Sequence, residues 1–349
     1  MSRVIELIEK LNATSSLSVE EYKYLIDNKT EQAFCLAKKY AVNKRKKYYG
    51  NKVFVRGLIE ISNICKNDCY YCGIRKSNTN CDRYRLTKEE IISCADEGYD
   101  LGFRTFVLQG GEDGTFTDEW LCDVIRTLKS NHPDCAVTLS LGERTYDSYK
   151  KLFDSGADRY LLRHETADSE HYSKLHPKTL TLENRIQCLK NLKEIGFQTG
   201  CGFMVGSPYQ TSKHLAQDLK FIEDFKPHMC GIGPFIPHKD TIFADKSAGD
   251  SELCLYLLSI VRLIKPNVLL PATTALGTVR NDGREKGILS GANVIMPNLS
   301  PFSVRKKYAL YDGKISTGEE SAQSLLKLKQ SIKSIGYEIV TERGDIVKE

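Results

Sequence analysis

Three cysteines inside eight residues constrain this chain more than any other feature. Cys65, Cys69 and Cys72 have the spacing CxxxCxxC and follow an apolar, strand-like run over 53–61. A loop that leaves the end of a strand can point three thiolates at one centre, and cysteine thiolates usually hold iron–sulfur clusters, normally four to a cluster. Three ligands leave one iron without a protein ligand, and an open position separates reactive metal sites from structural ones. The spacing therefore predicts a 4Fe–4S cluster whose unique iron binds a substrate or cofactor.

Composition bounds the class of protein. The 349 residues are 41% hydrophobic and 27% charged, which is ordinary for a globular protein and a normal length for one (β/α) barrel. The net charge of +5 is mild and no basic block is longer than 44–47, so we expect no nucleic-acid partner. Twelve cysteines without a signal peptide, and no apolar run long enough for a membrane span, predict a cytoplasmic protein without membrane contact.

Strand-like and helix-like stretches alternate from about residue 51. Eight parallel strands is the number that closes a barrel, whose active site lies at the carboxyl ends of the strands. The pattern predicts an α/β fold, a full (β/α)8 TIM-type barrel over 51–310, with an N-terminal helical cap over 1–50 and a short C-terminal extension over 311–349 packed on the barrel. The strand candidates are apolar runs bounded by Gly, Pro or polar residues: 53–61, 105–109, 136–141, 159–164, 198–205, 229–235, 268–274 and 292–296.

Opposite charges stand at the end of the fourth strand. Arg163 and Glu165 share one face, because side chains alternate along a strand. Charges at that position are costly unless they are paired or bound to a ligand. A zwitterionic amino acid fits such a pair, and a structural ion pair is the alternative. Arg185, early in the following helix, is a second candidate cation.

Small polar side chains mark other strand ends. Thr138 and Ser140 share one face of the third strand, where inward hydroxyls would line a polar cavity or bond to neighbouring backbone. Thr273 and Thr274 are small donors at the expected barrel mouth. Met296, on the eighth strand, is more typical of core packing than of a cavity wall.

CxxxCxxC with an aromatic residue before its third cysteine, here Tyr71, resembles the radical S-adenosylmethionine (SAM) enzymes. The resemblance implies that the methionine moiety of SAM chelates the open iron. One electron then cleaves the sulfonium to methionine and a 5′-deoxyadenosyl radical, and the aromatic residue lies against the adenine. The triplet Gly110-Gly111-Glu112 resembles the motif of that superfamily that binds the amino group of the methionine moiety.

Longer sequence segments point to one family within this superfamily. Residues 160–166, 231–238, 271–275 and 292–298 look like the HydE family of FeFe-hydrogenase maturases, and the similarity covers about 50–315. It implies a full barrel that acts in making the di-iron subcluster of the hydrogenase H-cluster. The implied substrate is an iron complex carrying cysteine, carbon monoxide and cyanide, supplied by a partner maturase. An electron donor is a further implied partner.

The resemblance also implies residue roles. Cys65, Cys69 and Cys72 match the cluster ligands. The remaining matches are Glu165 and Arg185 for SAM, Arg163 for an anion, and Tyr308 near the mouth, with Thr138, Thr273, Thr274 and Met296 in the cavity. Two departures stand out. No cysteine follows Cys254, so the accessory cluster that some members carry near the C-terminus is excluded, and Gly110 occupies a position where some members have serine.

Other interpretations remain open. A zinc site usually needs a second distant cysteine pair, which is missing, and a chance group of buried thiols is weaker still. A non-catalytic iron–sulfur protein would not cleave SAM, and the charges at the barrel mouth argue against it. A radical SAM enzyme on an organic substrate, as in methylornithine or biotin synthesis, is the main alternative. Biotin synthesis would need ligands for a second cluster, for which Cys135, Cys188 and Cys201 are candidates.

Overall fold

The computed structural model describes residues 2–315 and 324–348. The strands are β1 Lys52–Val55, β2 Gly57–Ser62, β3 Thr105–Gly110, β4 Ala136–Ser140, β5 Arg159–Leu161, β6 Gln198–Cys201, β7 Met204–Val205, β8 Met229–Cys230, β9 Gly233–Pro234, β10 Val294–Ile295 and β11 Glu338–Val340. The helices are α1 Arg3–Thr14, α2 Val19–Asp27, α3 Glu31–Tyr49, α4 Lys88–Asp100, α5 Asp118–Asn131, α6 Tyr146–Asp154, α7 Ser169–Leu175, α8 Leu182–Ile195, α9 Ser212–Phe225, α10 Ser251–Ile264, α11 Thr274–Val279, α12 Gly283–Leu289, α13 Phe302–Arg305 and α14 Leu325–Ser334.

Threonine caps set where the helices after the strands begin. A threonine at the N-cap accepts a hydrogen bond from the backbone N–H three residues on and so satisfies a donor that the first turn leaves free. Thr87 forms a complete capping box with Glu90. Thr117, Thr145 and Thr181 cap α5, α6 and α8 in the same way. These caps fix the length of each loop at the carboxyl ends of the strands.

The central sheet is parallel and confirms an α/β fold. Six strands run in the order β2-β3-β4-β5-β6-β8, and β1 lies between β10 and β11 in a second sheet. Isolated parallel bridges continue the series beyond β8: Met229 with Leu269, Pro271 with Val294, and Leu58 with Asn298. Both ends of the six-stranded sheet are therefore bridged to the segments around 269–271 and 294–298.

Several expected strands are shorter than their apolar runs. The run 53–61 divides at Arg56 into β1 and β2, which belong to different sheets. The runs 198–205 and 229–235 each divide into two short strands, and Gly202, at φ +155°, stands where the first of them breaks. The run 268–274 forms only isolated bridges, because Pro271 has no N–H to give to a ladder.

The two chain ends pack on different parts of this framework. Helix α2 lies against α9, and α3 lies against α10, so the N-terminal helices pack on helices of the α/β framework. Strand β11 pairs with β1, and the segment after it crosses the amino ends of the central strands, where Arg343 and Asp345 contact Asp158 and Arg159. In the described part of the chain, no helix is both long and apolar enough to cross a membrane.

Candidate functional site

The cysteine loop is held by one arginine. The guanidinium of Arg83 donates four hydrogen bonds, all to backbone carbonyls of the segment that carries and follows the cysteines. Four main-chain acceptors on one rigid planar group fix the course of an irregular loop. The acceptors are Asn63 O at 2.6 Å, Ile74 O at 2.8 Å, Arg75 O at 2.6 Å and Asn78 O at 3.0 Å.

A bidentate ion pair closes the middle of the loop. Asp68 accepts from Arg75 Nε at 2.7 Å and Nη2 at 2.8 Å, and from the backbone N–H and hydroxyl of Ser77. The hydrogen bonds from Arg75, together with those from Ser77, hold the pKa of the Asp68 carboxyl well below its usual range against the opposing effect of burial. Polar contacts within the loop therefore fix its conformation.

The loop after β3 lies directly against the cysteines. The Glu112 N–H points at Cys65 Sγ, 3.4 Å away, and Lys66 N donates to Glu112 O at 2.9 Å. A Cβ added at Gly111 would stand 2.2 Å from Ile64 O, so a glycine is required for this approach. The Gly-Gly-Glu triplet thus braces the first cysteine.

The thiols suit a cluster rather than a single ion. All twelve cysteines are free. Burial raises the pKa of the Cys65 and Cys69 thiols, and raises that of Cys72 to about 12, so bound cations are needed to keep them as thiolates. Among the described residues, no three Cys, His, Asp or Glu side chains gather closely enough to ligate one metal ion. Cysteine thiolates are the donors that iron–sulfur clusters take, so three free thiols in one loop provide the right donor type.

Beside the loop lies a cavity of about 280 Å³ at the carboxyl ends of the strands. It brings together seven of the residues singled out from the sequence. Apolar side chains, among them Met204 and Phe235, complete its wall. The seven are Tyr71, Cys72, Ser140, Arg163, Glu165, Arg185 and Tyr308.

Two charged side chains in this cavity hold unsatisfied polar atoms. Arg163 Nη2 lies 3.0 Å from Glu165 Oε2 as an ion pair, but without hydrogen-bond geometry. Arg163 Nε and Nη2 and Glu165 Oε2 are buried and have no hydrogen-bond partner. The backbone of Glu165 is left-handed, with φ 65°, which is costly for a residue with a side chain. Backbone strain together with buried polar atoms that lack hydrogen bonds marks a binding site.

Arg185 is positioned by a partner that the sequence did not indicate. Its Nε donates to Glu143 Oε1 at 2.6 Å, and its Nη1 donates to Arg163 O at 3.0 Å. Burial opposes its charge, but Tyr172 and Glu143 outweigh that effect and raise the pKa of Arg185. The guanidinium is therefore a permanent, fixed cation on the cavity wall.

An aromatic group supports Tyr71. Its hydroxyl lies 3.2 Å from His176 Nε2, and the Tyr71 ring packs edge-on against that imidazole, which is itself stacked on Tyr172. Because burial lowers the pKa of His176 to about 3, the imidazole stays neutral. The Tyr71 ring, which lines the cavity, is thus held in place by the uncharged rings of His176 and Tyr172.

A buried pair stands behind the strained residue. His164 and Asp218 are fully buried, with His164 Nε2 3.3 Å from Asp218 Oδ1. His164 Nδ1 accepts from Gly202 N, and the same Asp218 oxygen accepts from Ala167 N at 2.6 Å. Asp218, on α9, therefore holds the chain on both sides of Glu165.

The chain after Tyr308 forms a strap across the cavity. Gly73 N, in the cysteine loop, donates to Leu310 O at 2.8 Å. Lys314 Nζ reaches the fully buried Glu60 at 2.5 Å and also donates to Tyr308 O at 3.0 Å. This buried ion pair fixes Tyr308 at the cavity mouth.

Other expected residues lie away from this cavity. Glu112 turns outward, where it accepts from Glu143 N at 3.0 Å and pairs with Lys66 at 3.2 Å. Thr138 is buried with its hydroxyl unpartnered. Thr273 caps α11, which Thr274 begins, and Met296 packs in an apolar cluster with Met229 and Leu269.

The three cysteines considered for a second cluster are far apart in the fold. Cys135 precedes β4, at the amino end of the strands, and Cys188 lies on the outer helix α8. Cys201 ends β6, beside Cys230. They do not converge, so the biotin-type arrangement has no support in the described residues.

The residues that the sequence analysis did not identify are those that hold other site residues in position. Glu143 follows β4 directly after Gly142, a glycine–acid signal like that of the triplet after β3, and it could have been found. Arg83 and Asp218 carry no motif of their own, because their partners are 5 to 54 residues away.

Comparisons with known proteins agree with this geometry. The model of the radical SAM superfamily matches residues 59–222. The FeFe hydrogenase maturase subunit HydE of Thermotoga maritima is 45% identical, over 85% of each chain. A 3-methylornithine synthase of Methanosarcina acetivorans is 27% identical, over 91% of this chain and 90% of its own. The crystal structure of methylornithine synthase PylB superposes with a TM-score of 0.82, at 24% identity, covering 96% of this chain and 97% of that one.

Proposed function

This chain is a radical SAM enzyme that belongs to the HydE family of FeFe-hydrogenase maturases, and we propose that it acts in assembling the di-iron subcluster of the hydrogenase H-cluster. One observation carries the proposal: three free thiols share one loop, and this loop borders, through Cys72, a cavity in which Arg163 and Glu165 keep buried atoms without hydrogen-bond partners. Thiols without a fourth ligand suit an open cluster, and paired opposite charges suit a zwitterion.

Cys65, Cys69 and Cys72 would hold a 4Fe–4S cluster. When bound, the cluster supplies one electron that cleaves SAM to methionine and a 5′-deoxyadenosyl radical. The protein's part is to keep three thiolates in a loop that Arg83 and Asp68 order in advance. These hydrogen bonds would limit how far the loop has to move when the cluster binds.

Glu165 and Arg185 would hold the methionine end of SAM. A carboxylate accepts from the ammonium group, and a guanidinium donates to the carboxylate. Arg185 is fixed by Glu143, while Arg163 offers unpaired N–H groups to an anion at the same wall. Tyr71, on the cavity wall, would lie against the adenine, and Glu112 would act from the outer side of the same loop.

The substrate we propose is a compact anionic iron complex carrying cysteine, carbon monoxide and cyanide, passed on by a partner maturase. Ser140 lines the cavity, and the unpartnered hydroxyl of Thr138 lies on the same strand. Thr273 and Thr274 adjoin the cavity-lining Ala275, and Met296 would complete the deeper wall. Short hydroxyl side chains leave room for a compact ligand held by several hydrogen bonds.

We further infer that the strands close a full (β/α)8 barrel over 51–310. The isolated bridges from Met229 through 269–271 and 294–298 to Leu58 support this closure. The helices of 1–50 and the segment 311–349 would then be a cap and an extension on that barrel, in a cytoplasmic protein whose cysteines stay reduced.

Anaerobic reconstitution tests the function. The protein, with SAM, dithionite and the iron–cysteine–carbonyl–cyanide complex, should yield 5′-deoxyadenosine or its adduct by mass spectrometry, and should be required for maturation of apo-hydrogenase. Ornithine and dethiobiotin are the comparison substrates. If those two change SAM cleavage and the iron complex does not, the assignment to hydrogenase maturation is wrong and an organic substrate replaces it.

A further inference from the structure

The cysteine loop faces two different spaces. Cys72 lines the inner cavity with Arg163 and Glu165. Cys65 instead lines a separate cleft of about 490 Å³, which opens to the outside of the loop. A cluster held between these cysteines would therefore present one side to the cavity and the opposite side to the outer surface.

The outer cleft is basic. Lys66, Lys76, Arg83 and Arg85 line it, against Glu112 and Asp113. Lys66 pairs with Glu112 at 3.2 Å, and Arg85 pairs with Asp113 at 2.6 Å. Arg83 donates only to backbone carbonyls, and among the described residues neither Arg83 nor Lys76 forms an ion pair. Two positive charges beside Cys65 are therefore not offset by a carboxylate.

We propose that this cleft is the docking surface for a small acidic one-electron donor protein, which passes its electron in on the Cys65 side. The proposal rests on the proposed function, because that function consumes one electron for each SAM cleaved. Acidic side chains around the donor's redox group would complement Lys76 and Arg83, the two cations that no carboxylate of the cleft offsets. Electrostatic steering suits such transfers, whose interfaces are small and transient.

The electron balance is simple. With a flavodoxin as donor, the anionic flavin hydroquinone gives up one electron and becomes the neutral semiquinone, with no proton transferred. That electron enters the bound cluster, and docking itself forms and breaks no covalent bond. The donor does not compete with SAM and substrate for the inner cavity, because it approaches from the other side of the loop.

The test compares two reductants. Cluster-loaded protein with SAM is given either dithionite or reduced flavodoxin, and 5′-deoxyadenosine formation is followed at low and high salt. Lys76→Glu should lower the flavodoxin-driven rate about 3- to 10-fold at low salt and leave the dithionite-driven rate unchanged. Thr115, exposed on the cleft wall, gives a matched pair: Thr115→Lys should raise the flavodoxin-driven rate and Thr115→Glu should lower it.

Lys39→Glu, on α3, makes the same charge change elsewhere and should alter the rate less than about 2-fold. A second readout is direct: titration of oxidised flavodoxin should show weaker binding to Lys76→Glu than to Lys39→Glu. Equal effects of the two variants, a salt-independent rate, or dithionite-driven cleavage that flavodoxin cannot support would each overturn the proposal. If neither reductant drives cleavage, the proposed function fails instead, while the titration still decides the docking surface.

Discussion

Two arginines four residues apart lie at opposite ends of β5, and they differ in how fully their guanidinium groups are hydrogen-bonded. Arg159, at the amino end, is fully buried and donates to Thr105 Oγ1 at 3.0 Å, Arg343 O at 2.8 Å and Asp345 at 2.6 Å. Arg163, just past the carboxyl end, has two buried nitrogens without a hydrogen-bond partner. The arginine at the amino end of the strand has its hydrogen bonds satisfied, whereas the arginine past the carboxyl end keeps donors that could bind a ligand.

This difference indicates that one end of the strand contributes to stability and the other to ligand binding. At the amino end of β5, Arg343 and Asp345 of the C-terminal segment form ion pairs with Asp158 and Arg159, so this end of the strand serves stability. The carboxyl end of the same strand keeps backbone strain at Glu165 and N–H groups without hydrogen bonds at Arg163, and a bound ligand can relieve both. Variants at the two ends should therefore fail in different ways.

The largest effect is expected at the cysteine loop. Cys69→Ser should lose most of the iron and reduce SAM cleavage to background, because a three-ligand cluster has no spare ligand. Its thermal unfolding without cluster should match that of the parent protein. Cys35→Ser, at an exposed position on α3, is the matched control and should keep its iron. Full iron in Cys69→Ser, or about one zinc in the parent, would contradict the cluster assignment.

Arg159→Met should be the most destabilising of these changes. It breaks a buried network and leaves polar partners unpaired, at a cost of about 3 kcal/mol in the free energy of unfolding. Arg163→Met removes nitrogens that lack hydrogen bonds but also breaks the partly exposed ion pair with Glu165, and should cost less, about 1 kcal/mol. Urea unfolding of both variants measures the contrast. Equal losses would show that the two ends do not differ.

Arg185→Ala should act on SAM alone. Removing a charged hydrogen bond costs about 1.5–3 kcal/mol, or roughly 10- to 150-fold in affinity. Arg126→Ala, at an exposed position on α5, is the control and should bind SAM normally. Equilibrium titration of cluster-loaded protein gives the dissociation constant. Unchanged affinity would remove Arg185 from the SAM site.

Variants of Asp218 test whether this residue positions the segment around Glu165. Asp218→Ala frees the segment around Glu165 and should raise the KM for SAM about 10-fold, from about 1.4 kcal/mol of lost positioning, with little change in kcat. Asp218→Asn keeps an oxygen for Ala167 N and should restore most of the affinity. A general packing role predicts instead that both variants are destabilised with KM unchanged.

The smallest effect is a pH dependence at the closed end. Burial opposes ionisation of Asp345, but the guanidinium groups of Arg343 and Arg159 hold its pKa below the usual range. A lowered folded-state pKa gives stability that is complete above the unfolded value, about 3.9, and that is lost as pH falls through the folded value. The melting temperature should therefore drop below about pH 4, and less so in Asp345→Asn. An identical acid profile for the two proteins would reject this contribution.

The sequence by itself determined the local chemistry. The spacing of Cys65, Cys69 and Cys72 is fixed by a few covalent links, so their placement in one loop needed no fold. Strand alternation placed Arg163 and Glu165 on one face, and the structure has them 3.0 Å apart. The parallel α/β arrangement followed from regular spacing of apolar runs, which reflects burial on both faces.

Only the tertiary structure decided which of these side chains have their hydrogen bonds satisfied. Arg159 and Arg163 look alike in sequence, yet one is saturated by residues 184 and 186 positions away and the other is not. The structure likewise brought Glu143 to Arg185, 42 residues on, and Arg83 to the carbonyls around the cysteines. Alternation along a strand tells which face a side chain takes. Which partner meets it there depends on how distant elements pack, because hydrogen bonds and ion pairs act only at contact distance.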